Sequence, residues 1–170
     1  MPAPRTISAG LAVLRPADSE PELLVVHPGG PFWANKDAHG WSIPKGIVDP
    51  DEDAPTAARR EFSEETGHPA PDGPLVAIDD IRIGSGKWLR AFVTIGDLDP
   101  SEIQSNTIDI EWPPRSGRTI TVPEVDAAAW VTLTEAETKL HKGQVPLVAR
   151  IRAAIAADPT LSATLDTPPG

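Results

Sequence analysis

The 170-residue chain contains no cysteine. Disulfides, thiolate zinc sites and cysteine nucleophiles are therefore excluded. Long apolar runs are missing too. Met1 to Arg5 leads into nothing resembling a secretory signal or a membrane-spanning helix, so a cytoplasmic location is expected. Positive charge is also in short supply: 15 Lys and Arg face 25 Asp and Glu, a formal net charge of -10. A broad grip on nucleic acid or anionic lipid needs a basic surface, so neither nucleic acid nor a membrane is an expected partner. A small anionic ligand stays possible, since a few aimed cations and a bound metal can hold phosphate. No internal repeat and no interdomain linker occurs. The length suits one domain with a real core, placed at residues 1–158. The Pro-, Thr-, Ser- and Gly-rich residues 159–170 read as a frayed tail. Nothing in the sequence indicates an oligomeric state.

The pattern of apolar residues predicts a mixed α/β domain. Ile7 to Leu14 and Leu23 to Val26 read as strands around a polar turn at Asp18 to Pro21. His27 to Gly40, rich in Gly, Pro and Asn, reads as a long loop carrying Phe32 and Trp33. Trp41 to Ile43 is a short strand. Ala54 to Thr66 reads as a helix, with Asp53 as its N-cap, Pro55 in its first turn, and Gly67 and Pro69 as its stop. Ala54, Ala58 and Phe62 give that helix one apolar stripe. Further strands are expected at Leu75 to Ile83, Trp88 to Ile95, Ile108 to Trp112 and Ala129 to Leu133, with a turn at Ser85-Gly86. Helices are expected from Thr134 to Leu140 and from Val145 to Ala157.

The chemistry concentrates in the first helix. Glu61, Glu64 and Glu65 stand at i, i+3 and i+4, which puts three carboxylates on one face. Like charges so placed repel and oppose folding unless a cation joins them. Carboxylate oxygens suit hard divalent ions, which also bind phosphate oxygens and activate water. Three neighbouring glutamates alone would read as a solvated acidic face, which is common on helices. The flanking residues reverse that judgement. Gly46, Glu52, Arg60, Glu61, Phe62, Glu64, Glu65 and Gly67 match the spacing of the Nudix box: Gly, five residues, Glu, seven residues, Arg-Glu, an apolar residue, any residue, Glu-Glu, any residue, Gly. Every charged and glycine position agrees. Phe62 is aromatic where aliphatic residues are more usual, and His68 replaces the final aliphatic residue, which bears on packing behind the helix end.

The chain thus resembles the Nudix hydrolases, and the resemblance implies the rest. The expected fold is an α/β/α sandwich around a mixed β-sheet. The expected activity is divalent-metal-dependent hydrolysis of a phosphoanhydride in a nucleoside diphosphate linked to another moiety. Glu61, Glu64 and Glu65, with the Gly46 carbonyl, would hold magnesium (Mg2+) or manganese (Mn2+). One of these glutamates, or one outside the box, would orient or deprotonate the attacking water. Arg60 and Glu52 would hold the glutamates in place. Pro44-Lys45-Gly46 resembles the lead-in of the groups acting on diadenosine polyphosphates and diphosphoinositol polyphosphates, so Lys45 is expected to meet a phosphate beyond the metal-held pair. Trp33, with Phe32 beside it, is a candidate base contact, and Lys36 and Arg90 are candidate phosphate contacts. Glu111 and Glu124 fall where the family sometimes places an extra ligand or base, and each reads individually as a surface acid. His27, His39 and His141 show no metal spacing. The substrate is expected to be a dinucleoside polyphosphate or a similar small nucleotide or polyphosphate. The alternatives are a pyrophosphatase of noncanonical nucleoside triphosphates and a noncatalytic, nucleotide-sensing domain.

Overall fold

In the computed structural model, which describes residues 4–167, the first strand sets the architecture. Strand β1 (Thr6–Arg15) is buried from Ser8 to Leu14. Its side chains alternate between two cores, as a strand covered on both faces requires. Ala9, Leu11 and Val13 pack with Ala57, Ala58 and Phe62. Ala12 and Leu14 pack on the opposite face with Leu147, Val148 and Ile151.

Around β1 the sheet is mixed. Strand β6 (Lys87–Ile95) pairs with it in parallel from Thr6↔Lys87 to Leu14↔Ile95. Strand β2 (Glu22–Pro28) pairs antiparallel with it only at Leu14↔Leu23 and Arg15↔Glu22. Beyond those pairs the two strands part, and β3 (Lys45–Ile47) fills the gap, with Ala9↔Gly46 at its centre. On the other lip Ser42 exchanges backbone hydrogen bonds of 2.8 and 2.9 Å with Val26. The crossing needs a glycine in β1. A Cβ on Gly10 would lie 2.7 Å from the Pro44 carbonyl oxygen and 2.9 Å from Lys45 Cβ. Strand β9 (Val125–Thr132) pairs with the far edge of β2, while β4 (Val76–Ala77) and β5 (Ile81–Gly84) pair with the outer edge of β6.

Helix α1 (Ala54–Thr66) covers one face, burying Ala57, Ala58 and Phe62. The Asp53 side chain accepts the Thr56 N–H at 2.9 Å, and Gly67 ends the helix at φ 74°, its N–H bonded to the Ser63 carbonyl. Helices α2 (Leu133–Lys139), α3 (Pro146–Ala157) and α4 (Pro159–Leu165) cover the other face. The result is the expected α/β/α sandwich around a mixed sheet. Strands β7 (Thr107–Glu111) and β8 (Thr119–Pro123) form a separate antiparallel hairpin.

Several expectations give way. Trp41 to Ile43 makes only isolated bridges, and the regular strand lies at Lys45–Ile47. Leu75 to Ile83 is broken into β4 and β5. The expected frayed tail is α4 over residues 159–165. Asp158 accepts the Leu161 N–H at 3.0 Å, and Leu161 and Leu165 are buried in the core against α3. The last part of that tail (168–170) and the first three residues of the chain lie outside the described residues. Among the described residues no helix is long and apolar enough to cross a membrane.

Candidate active site

The C-terminal half of α1 and the strap of β3 meet where β1 and β2 part, and the acidic face is built there. Arg60 is its hub. Its Nε and Nη2 donate to Glu52 at 3.1 and 2.5 Å, and its Nη1 donates to Glu61 at 2.9 Å and Glu64 at 3.2 Å. Nη2 also reaches the Ile47 carbonyl at 3.2 Å, which fixes the arginine to β3. One guanidinium thus joins three box carboxylates. The hydrogen bond from Arg60 holds the Glu52 carboxyl below its ordinary pKa, helped by the Asp49 N–H. The guanidinium in turn is held more firmly protonated, by Glu52 above all.

The other acids are under strain. Burial pushes the Glu61 pKa up, against the pull of Arg60, and the charges of Glu64 and Glu124 add to it. Glu65 is only 9% exposed and accepts the Lys45 backbone N–H at 3.3 Å. Burial raises its pKa to about 8, with the Lys45 N–H and ammonium opposing and Glu61 and Glu124 reinforcing. A carboxylate so placed lacks the counter-charge that would repay its lost hydration.

Glu124, which reads in the sequence as a surface acid, lies within electrostatic reach of Glu61, Glu64 and Glu65. It stands at the junction of β8 and β9, half-buried, and burial together with the charge of Glu64 raises its pKa. Its backbone N–H donates to Asn106 at 2.8 Å, and the Asn106 N–H donates to the Glu64 carbonyl at 2.9 Å, so the end of α1 and the start of β9 are tied together. Glu111, considered beside it, is exposed at the end of β7.

The donor set fits a hard divalent cation. Four carboxylates (Glu61, Glu64, Glu65 and Glu124) gather, with Arg60 opposing at Glu61 and Lys45 at Glu65. Gly46 lies so close to the Glu61 carboxylate that a Cβ there would collide with it, which leaves the Gly46 backbone beside the acids. Among the described residues no three acidic or imidazole side chains stand as a ready-made ligand cage. Arg60, bonded to both Glu61 and Glu64, sets how those carboxylates point.

The candidate substrate contacts divide. Lys45 lies on β3 within electrostatic reach of Glu65 and His141. Trp33 tilts against the His141 ring, with centroids 4.9 Å apart. Burial lowers the His141 pKa, against the hydrogen bond to the His39 carbonyl and with the charge of Lys45 and the neighbouring histidines. Lys36 folds back over Phe32, its Nζ 3.4 Å from the ring centroid, and sits 5.1 Å from that of Trp33. These residues form a chain of neighbours that leads from Glu65 through Lys45 and His141 to the loop. Arg90 is differently placed: its Nε and Nη2 grip Asp80 at 3.0 and 2.9 Å on the β6 side of the sheet. The histidines support the loop. His27 bridges Asp126 at 2.9 Å and the Lys36 carbonyl at 2.8 Å, and His39 and His141 each meet a backbone carbonyl.

Comparison with known proteins gives the family and the fold. The family model described as the NUDIX domain matches residues 4–151. An Ap4A hydrolase from C. elegans, solved as a binary complex, is 22% identical over 90% of this chain and 99% of its own, with a TM-score of 0.62. A mutT/nudix family protein from Listeria innocua is 20% identical over 92% of this chain and 97% of its own, with a TM-score of 0.59. The NUDIX domain of Shewanella oneidensis NrtR, complexed with ADP ribose, is 15% identical over 90% of this chain and 89% of its own, with a TM-score of 0.57.

Proposed function

The chain belongs to the Nudix family, and from this we propose that it is a pyrophosphohydrolase that cleaves a phosphoanhydride of a dinucleoside polyphosphate or a similar small polyphosphate. The observation that carries the reading is the acidic face itself: four neighbouring carboxylates, two of them held by Arg60, with the Gly46 backbone against Glu61. That arrangement is costly to the apo fold and suited to cations that carry phosphate.

Glu61, Glu64, Glu65 and the Gly46 carbonyl are the groups that would hold Mg2+ or Mn2+. When bound, such an ion neutralises phosphate charge and lowers the pKa of a coordinated water. Arg60 and Glu52 keep the carboxylates oriented through turnover. Glu124, outside the box and less crowded by Arg60, is suited to orient or accept a proton from the attacking water, because its raised pKa makes it a better base than an ordinary surface glutamate. Lys45 places its ammonium beside Glu65, where a phosphate beyond the metal-held pair would lie. Trp33 and Lys36 offer an aromatic face and a cation on the loop side. Arg90, with two donors committed to Asp80, contributes least of the four. A nucleotide-sensing domain without catalysis has no use for a full set of box glutamates.

The test is a hydrolysis screen over dinucleoside polyphosphates, nucleoside triphosphates, nucleotide sugars and diphosphoinositol phosphates, with magnesium and with chelator, and with products identified. Turnover of a dinucleoside polyphosphate that vanishes in chelator and returns with magnesium or manganese is expected. Monophosphate and pyrophosphate from nucleoside triphosphates alone would move the assignment to nucleotide sanitation. Full turnover without metal would refute the mechanism.

A further inference from the structure

The β7–β8 hairpin has an apolar face that belongs to neither core. Its register pairs Ile108 with Val122 and Ile110 with Ile120, and Trp112 donates its backbone N–H to the Arg118 carbonyl. Directly opposed residues share a face, so Ile108, Ile110, Ile120 and Val122 form one strip. The other face carries Thr107, Asp109, Thr119 and Thr121. None of the four apolar residues joins either buried cluster of the sandwich. Val122 is covered, Ile110 and Ile120 are half-buried, and Ile108 is 41% exposed.

Position gives the strip meaning. The hairpin springs from Asn106 and Glu124, which are bonded to each other and, through Asn106, to the Glu64 backbone. It therefore rises directly from the edge of the acidic face. The loop that carries Phe32 and Trp33 packs on half of the strip: a Cβ on Gly30 would stand 3.4 Å from Ile110 Cδ1 and 3.5 Å from Val122 Cγ2, which leaves Ile108 and Ile120 as its open residues. Size decides among occupants. Five residue pairs on two strands span ~17 Å by ~10 Å. A stable protein interface needs roughly 800 Å2 per partner, several times what the strip offers. One planar heterocycle fits it.

We propose that the apolar strip of the β7–β8 hairpin receives the base of the nucleotide whose phosphates lie on the acidic face, so that the hairpin rather than the box selects for a nucleoside-bearing substrate. The inference rests on the phosphohydrolase reading above. It makes Ile108 and Ile120 specificity residues that touch the base and leave the phosphate chemistry alone.

Isoleucine-methyl NMR of the full chain tests it directly, with ADP and inorganic pyrophosphate titrated separately in magnesium. The Ile47 methyl, beside Gly46, reports on the phosphate site. ADP should move Ile47, Ile108 and Ile120, and pyrophosphate should move Ile47 alone. The double variant Ile108→Ser/Ile120→Ser should weaken ADP binding on the order of tenfold and leave pyrophosphate binding unchanged. If ADP moves Ile47 and leaves the hairpin methyls still, the inference is overturned and the phosphohydrolase reading stands. If neither ligand moves Ile47, that reading fails and the inference fails with it. Hairpin shifts that follow protein concentration instead of ADP would assign the strip to a second copy and overturn the inference.

Discussion

Replacing Glu65 by glutamine should make the protein more stable and far less active. In the folded chain the Glu65 carboxyl has a pKa of about 8, against 4.5 for the ordinary group. A carboxyl whose pKa is higher folded than unfolded binds its proton more tightly in the native state. Native stability therefore falls as pH rises through the window from about 4.5 to about 8. At about pH 8 the ionised carboxylate costs roughly 4 kcal/mol, and at about pH 5 under ~1 kcal/mol. Glutamine keeps the side-chain oxygen that accepts the Lys45 N–H and carries no charge to desolvate. Side-chain motion and bound counter-ions recover part of the wild-type cost, so the observable gain is about 2–3 kcal/mol, or about 5–10 °C in Tm for a chain of this length. Thermal melts of Glu65→Gln and wild type, in chelator at about pH 8 and about pH 5, measure it. Saturating magnesium should narrow the gap, because cations relieve the wild type more. Turnover of the variant should fall on the order of a hundredfold or more, since the lost charge anchors the cation of the transition state. A variant no more stable than wild type at about pH 8, or a gain that does not shrink toward about pH 5, would refute the account of a buried, uncompensated carboxylate.

Arg60→Ala should lower turnover and destabilise the fold by about 1–3 kcal/mol, because Glu52, Glu61 and Glu64 lose their common partner; denaturant melts with full activity retained would make Arg60 a plain surface residue. Lys45→Ala should lower kcat/KM for a dinucleoside polyphosphate by about ten- to a hundredfold and barely change a nucleotide sugar; an unchanged ratio between the two removes Lys45 from phosphate counting. Glu124→Gln should lower kcat by about tenfold or more with KM little changed, and Glu111→Gln should do nothing; equal effects would deny Glu124 its special place. Leu161→Ala should cost about 2–3 kcal/mol in urea unfolding, and a cost near zero would mean that α4 does not seal the core.

What was legible in the sequence is what local chemistry determines. Helix α1 lies where its cap, its proline and its stop glycine put it, because those signals act within a turn or two of the chain. The grouping of Glu61, Glu64 and Glu65 follows from helical spacing alone. Elements whose stability comes from elsewhere were not legible. Lys45-Gly46-Ile47 has no strand propensity to speak of, and its order is conferred by the parting of β1 and β2. Strand β8 is held by its partner β7 across a turn. Helix α4 looks like a tail in composition, and the burial of Leu161 and Leu165 makes it part of the fold. Glu124 shows the same limit at the site. It stands 59 positions beyond Glu65 by residue number, and only the return of β9 along β2 carries it to the acids. The pairing of Trp33 with His141 is likewise a product of tertiary structure.

The insertion of β3 between β1 and β2 makes Gly46, proposed above to face the metal, part of the sheet. The Leu11 amide donates to the Pro44 carbonyl and the Val48 amide to the Ile7 carbonyl, so the strap is closed at both ends. Such a segment has no private opening motion, and its amides should exchange with solvent only when β1 itself comes apart. Hydrogen exchange at Gly46 and Val48, whose amides face β1, should then be as slow as in the centre of the sheet, while the loop at Phe32 exchanges freely. On the proposed reading the floor of the site would stay fixed through turnover, and adaptation to different substrates would fall to the loop and the hairpin.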